Sequence, residues 1–203
     1  MARRKAVPPP VSELRGVVSF DTNEILALVL APVAPVAEAF RKRRKAKTWT
    51  KNVGGRAVTV ADPSFVVYRL KGHPWTILDC YHGRGTSLQP ADAQGLSKAL
   101  KTKAIFYGHS DTAGVTLYDL FDKGKRLEHF EYDEGVEFES AIRDIEPPDG
   151  PDIEAFVDAF LREQDALAPG ISTYLGGWAA KPGDKMTLDS LAADGVERAD
   201  WVA

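Results

Sequence analysis

Four histidines, one cysteine and a scatter of hydroxyl and acid side chains are what this 203-residue chain offers for proton transfer or nucleophilic attack. Two short groups collect them. Cys80-Tyr81-His82 and His109-Ser110-Asp111 each stand where a β-favouring apolar run gives way to a polar loop. Strand ends of this kind host ligand groups in open sheets. If the two strands are neighbours, His82 and His109 approach each other. A histidine base with Asp111 orienting it then suits hydrolysis or transfer on an activated substrate, with Cys80 or Ser110 as nucleophile. No recognised nucleophile motif surrounds these residues. The plainer reading makes the histidines polar loop residues and Cys80 a small buried side chain.

Between the two groups lies His82-Gly-Arg-Gly-Thr-Ser87, immediately before a helical pattern. Gly83 and Gly85 let backbone approach an anion, and Arg84 has the shape to pair with phosphate. The stretch lacks the Gly-Lys-Ser/Thr of a Walker loop and the third glycine of a dinucleotide fingerprint. A metal centre has less support. His73, His82, His109 and His129 show neither i, i+4 pairing nor carboxylate-triad spacing, one cysteine cannot build a multi-thiolate zinc site, and no calcium-loop pattern occurs. The expectation is no metal and no cofactor.

Two charged regions offer contacts instead of chemistry. Arg41, Lys42, Arg43, Arg44 and Lys45, followed by Lys47, Lys51 and Arg56, place eight cations in sixteen residues without an acid, and Trp49 sits among them. Cations with an aromatic suit nucleic-acid backbone and base stacking, although a solvated helix end docked on the acidic half of the chain explains them equally. Further on, Phe130, Tyr132 and Phe138 interleave with acids, a pattern suited to a basic protein partner. Asp133, Glu134, Glu137 and Glu139 read as a charged loop.

The elements that position these groups follow from periodicity and punctuation. Residues 57–60, 65–70, 75–81 and 104–107 read as strands, and 115–121 and 126–132 as a hairpin turning at Asp122-Lys-Gly-Lys125. The apolar run 25–30 fits a buried strand or a short helix. Helices are expected over 36–47, entered at Pro35, and over 90–101, entered at Pro90. Ile153, Phe156, Val157, Phe160, Leu161, Gln164 and Leu167 mark one stripe of an amphipathic helix closed by Pro169-Gly170, and 196–202 reads as a last strand.

Strand, helix, strand, strand thus occurs twice. The expected fold is α+β, a mixed or mainly antiparallel sheet built from two such units with helices on one face, plus a C-terminal amphipathic helix. A basic, proline-rich tail at 1–13 precedes one domain at 14–203, with a sub-boundary at the proline-rich 147–151. At this length about 70% of the unfolded surface can be buried without a staple.

A net charge of −3 conceals polarity. Residues 1–118 hold 18 Lys/Arg and 8 Asp/Glu, and residues 119–203 hold 8 and 21. No apolar stretch is long enough to span a bilayer, since Pro32 and Pro35 interrupt the best one. One thiol fits a reducing cytoplasm. Of the function classes, a non-enzymatic interaction, regulatory or immunity-type module with a basic protein partner is favoured. A hydrolase or transferase using His82, His109 and Asp111, and nucleic-acid binding through 41–56, are the alternatives.

Overall fold

Strands that carry apolar side chains on both faces need apolar cover on both sides. In this chain helices cover both faces of the central part of a single large sheet. The computed structural model describes residues 10–21, 23–82, 87–148, 152–170, 180–187 and 195–203. In chain order these form β1 (Gly16–Val17), β2 (Glu24–Val29), α1 (Val33–Arg44), β3 (Trp49–Thr50), β4 (Ala57–Thr59), β5 (Ser64–Leu70), β6 (Thr76–His82) and α2 (Pro90–Leu100). They continue as β7 (Lys103–Ser110), β8 (Val115–Asp122), β9 (Lys125–Asp133), β10 (Gly135–Ser140), α3 (Ile153–Glu163), β11 (Leu167–Ala168), β12 (Lys185–Thr187) and β13 (Val196–Val202).

Nine strands form one antiparallel sheet in the order β10-β9-β8-β7-β2-β6-β5-β13-β3. The 25–30 run is therefore a strand, and it lies at the centre. Its alternation divides the core. Ala27 and Val29 face a layer with Phe65, Val67, Leu78 and Phe106, closed by Val33, Val36 and Phe40 of α1 and Ala93 and Leu96 of α2. Leu26 and Leu28 face the opposite layer with Tyr68, Ile77, Tyr107, Tyr118 and Phe130, closed by Val157, Phe160 and Leu161 of α3. The α+β class, the antiparallel sheet and the amphipathic third helix follow the sequence pattern. The first two helices share one face, and α3 covers the other.

Local chemistry explains where the helices begin and stop. α2 opens with Pro90 at its first position and a capping box, in which the Gln89 N–H donates to Asp92 at 3.0 Å. α1 ends three residues before the sequence suggested, because Lys45 turns left-handed at φ 54° and its N–H closes on the Arg41 and Lys42 carbonyls. α3 also ends early, at Glu163, and Trp75 Nε1 donates to the Gln164 carbonyl at 2.9 Å. Leu167 leaves the stripe and joins β11, which pairs in parallel with β1.

Of the expected tail, residues 1–9 lie outside the described residues, and Val11–Glu13 makes one 3-10 turn. Val11 packs on the α3 layer, and its carbonyl meets His73 Nε2 at 2.8 Å. The expected sub-boundary at 147–151 is described only through Pro148.

Candidate interaction surface

The histidine groups sit differently from the catalytic expectation. β2 lies between β6 and β7, so His82 and His109 are on strands two spacings apart, about 10 Å of main chain. His109 is inside β7 and not in a loop. Its Nδ1 meets Thr116 Oγ1 at 3.0 Å and its Nε2 meets the Phe20 carbonyl at 2.8 Å, with the Phe20 ring packed edge-on at 5.2 Å. Asp111 does not orient it. That carboxylate is exposed in the following turn and accepts from Thr112 Oγ1 at 2.9 Å. His82 ends β6, is buried, and stands opposite Ser64 across a bulge. Burial pushes the Cys80 thiol up to about 12, aided by the charge of Asp79, so it is not a nucleophile at neutral pH. Ser110 Oγ accepts the Ala113 N–H at 3.2 Å. The structure does not gather the proposed base, orienting acid and nucleophile into one site. Gly83, Arg84 and Gly85 of the anion-binding loop lie outside the described residues.

The buried ionisable groups that do meet belong to no motif in the sequence. Glu24 and Asp79, on adjacent central strands, are 5% and 6% exposed. Desolvation raises the Glu24 carboxyl to about 8, Asp79 adds to the rise, and the Gly170 amide works against it. Neither Glu24 oxygen makes a well-formed hydrogen bond among the described residues. Tyr107 beside it is raised by burial first and by Glu24 next. Glu24 is thus a mainly neutral acid at pH 7. Its signal in the sequence was an acid opening an unbroken apolar run, and Asp79 likewise interrupts an apolar strand.

Part of the basic run is consumed inside the fold. Arg43 Nε donates to Asp92 at 3.2 Å and its Nη2 to the Ala91 carbonyl at 2.7 Å. Arg44 pairs with the other Asp92 oxygen, donates to the Ser87 carbonyl at 3.0 Å, and lies over the Phe40 and Phe65 rings. Asp92 itself is almost fully buried. Gly95 makes room for this arrangement, since a Cβ there would sit 2.4 Å from an Arg43 nitrogen. Arg41 is half-buried, Lys45 is the left-handed cap, and Trp49 Nε1 donates to Asp200 at 3.0 Å. Lys51 stacks over the Trp49 ring at 4.2 Å. The stripe is a helix end partly docked on its own protein, with Lys42, Arg43, Lys45, Lys47, Lys51 and Arg56 exposed.

The acidic end is the reverse case. Its aromatics are not surface anchors. Phe130 is fully buried against Phe156 at 5.6 Å, Phe138 packs between Phe156 and Phe160, and Tyr132 is half-buried on the same layer. The 135–140 segment, expected as a charged loop, is strand β10. It alternates half-buried Val136, Phe138 and Ser140 with exposed Gly135, Glu137 and Glu139. With glycine at its start and two acids in six residues, its β signal was weak.

On the solvent side of β8–β10, one histidine and one arginine serve several acids. His129 Nδ1 meets the buried Asp119 at 2.9 Å, and its Nε2 lies 3.8 Å from both Glu131 and Glu137. Arg126 bonds Glu139 at 2.9 Å and lies 3.8 Å from Asp119. Burial raises the Asp119 carboxyl, while His129 and Arg126 pull it back. Among the described residues Asp133, Glu134, Asp144 and Glu146 have no counter-charge within ion-pair distance. On the inner side Glu128 is sealed by Arg143, which also bonds Glu163 at 2.8 Å and lies over Phe160.

Among the described residues no group of histidine, cysteine and acid side chains is arranged to hold a metal ion, and no helix is long and apolar enough to cross a membrane. Compared with protein-family models, curated proteins and solved structures, the chain shows no significant match.

Proposed function

We propose that this chain is a non-enzymatic interaction module, of a regulatory or immunity type, that presents the acidic β8–β10 wing to a basic protein in the cytoplasm. The observation that supports it most is the imbalance of counter-ions. Arg43 and Arg44 of the basic half are spent on Asp92 and backbone carbonyls, and exposed acids of the wing outnumber Arg126 and His129 beside them. Unneutralised charge on a rigid sheet speeds encounter with an oppositely charged partner and suppresses like-charged ones. The rigidity comes from the α3 side, where Phe130, Phe138, Phe156 and Phe160 form one aromatic layer beneath the wing.

Capture of lysate proteins on the immobilised chain, at low and at high salt, tests this reading. The expected result is a basic polypeptide held at low salt, released as salt rises, and lost on the combined charge reversals Glu131→Lys, Glu137→Lys and Glu139→Lys. Reversing Lys42, Lys45 and Lys47 instead should leave it bound. Equal capture by wild type and the acid-reversed chain would reject the wing as the contact.

A further inference from the structure

We infer that the outer margin of β10 accepts an extended segment of a partner protein as an additional strand, one in which basic and apolar residues alternate. This deepens the interaction reading and rests on it. The ladder shows which groups are free. The Ala141 N–H donates to the Leu127 carbonyl at 2.8 Å, and Ala141 stands opposite Leu127 in the β9–β10 register. Hydrogen-bonded pairs recur at every second residue, so Glu137 and Glu139 bond back to β9, and Val136, Phe138 and Ser140 turn their N–H and C=O groups outward. β10 pairs only with β9 and ends the sheet. Among the described residues nothing bonds those outward main-chain groups. The margin is about 20 Å long, enough for a strand of partner backbone.

The two faces of this margin define what fits. On the solvent face stand Glu137 and Glu139, with Glu131 beside Glu137. On the α3 face stand half-buried Val136 and Phe138, next to half-buried Tyr132 and Phe156. A docked strand sends successive side chains to opposite faces. Its residues of one parity meet carboxylates, and those of the other meet an apolar ledge. Lysine or arginine alternating with valine, isoleucine or an aromatic satisfies both. A second copy of this chain does not, because β10 laid on β10 sets Glu137 and Glu139 near their own equivalents, and like charges across a pair of strands are unfavourable. The same acids keep the edge from pairing indiscriminately.

The test uses the full chain and two synthetic peptides as long as β10, one with lysine and valine alternating and one of the same composition with the lysines in a block. Binding is read by fluorescence anisotropy, and the contact by amide hydrogen exchange. The alternating peptide should bind at least about tenfold more tightly than the blocked one. It should slow exchange at Val136, Phe138 and Ser140. Val136→Pro removes one outward N–H while leaving the bonds to β9, a position an edge strand tolerates, and should abolish the preference. The exposed pair Glu137→Lys and Glu139→Lys should do the same, with the fold checked by thermal melting, which keeps the test decisive if the proline variant fails to fold. Equal binding of the two peptides, no binding by either, protection elsewhere, or a preference untouched by the glutamate reversals overturns strand addition. If the chain still holds a salt-sensitive basic partner through the wing, the interaction reading survives that outcome. If it holds none, both fall.

Discussion

The α1–α2 corner and the β8–β10 wing are both crowded with charge, and they treat it in opposite ways. In the corner one buried carboxylate, Asp92, caps α2 and binds Arg43 and Arg44, so three charges become part of the packing. In the wing Glu131, Glu137 and Glu139 are spread along two exposed strands around His129 and Arg126, and most face water. A run of like charges in the sequence does not reveal which case applies. The difference lies in whether a partner of opposite sign is brought near from elsewhere in the chain. Asp92 is about fifty residues beyond Arg43 and Arg44, whereas the wing's acids share His129 and Arg126 from their own strands. The Asp92 cluster is therefore structural, and the proposed partner contact rests on the charge that remains on the wing.

The aromatic layer under the wing gives the largest expected effect. Phe160 touches Phe156, Phe138, Tyr118 and the Arg143 guanidinium. Phe160→Ala should lower unfolding free energy by about 4 kcal/mol in a denaturant titration, the usual cost for a buried phenylalanine. It should also loosen β10, seen as faster amide exchange there than at β5. A loss below about 1 kcal/mol would mean that the wing does not depend on α3 for its shape.

Asp92→Ala tests the corner. It removes a helix cap and leaves the part-buried Arg44 without its counter-ion, at a cost of about 3 kcal/mol. Asp92→Asn retains a capping oxygen and should cost less. If Asp92→Ala is neutral while wing substitutions are costly, the assignment of structural and functional charge is reversed.

Glu24, at the centre of the sheet, is an acid hidden without a counter-ion, and it makes the comparison sensitive to pH. Burial pushes its carboxyl up to about 8 in the folded chain, from the ordinary 4.5. An acid whose folded value is raised contributes fully below the unfolded value, and that contribution is lost as pH rises through the folded one. Stability should therefore fall between pH 5 and pH 8 by about 3 kcal/mol on account of this residue. Glu24→Gln should flatten that slope and be the more stable chain at pH 8. An unchanged slope in the variant would assign the pH dependence to other groups, among them Asp119, whose raised carboxyl acts in the same direction.

Local pattern carried much of the architecture and little of the surface. Strand β5, the β8–β9 hairpin and the stripe of α3 were legible because β-branched alternation, a Lys-Gly turn and i, i+3, i+4 spacing each specify one geometry. β10 was missed because its acids point to solvent and only Val136 and Phe138 mark its inner face. The acids beside Phe130 suggest a surface anchor, yet alternation along β9 sends it inward. The separation of His82 from His109 depended on β2 entering between their strands, a long-range insertion that no local signal encodes.

The smallest stability effect carries the sharpest contrast. Glu137 is an exposed edge residue whose nearest cation-capable neighbour, His129 Nε2, is 3.8 Å away. Surface pairs at that distance contribute little, so Glu137→Gln should change unfolding free energy by less than about 0.5 kcal/mol. Its effect on a basic partner should be several-fold, mostly on the association rate and fading as salt is raised, because a rim charge acts through the field it projects. Asp92→Asn should show the opposite profile, with measurable loss of stability and no change in partner association. The two substitutions each neutralise one acid. If they behave alike in both measurements, the division between a charge that holds the fold and a charge that faces a partner does not exist in this molecule.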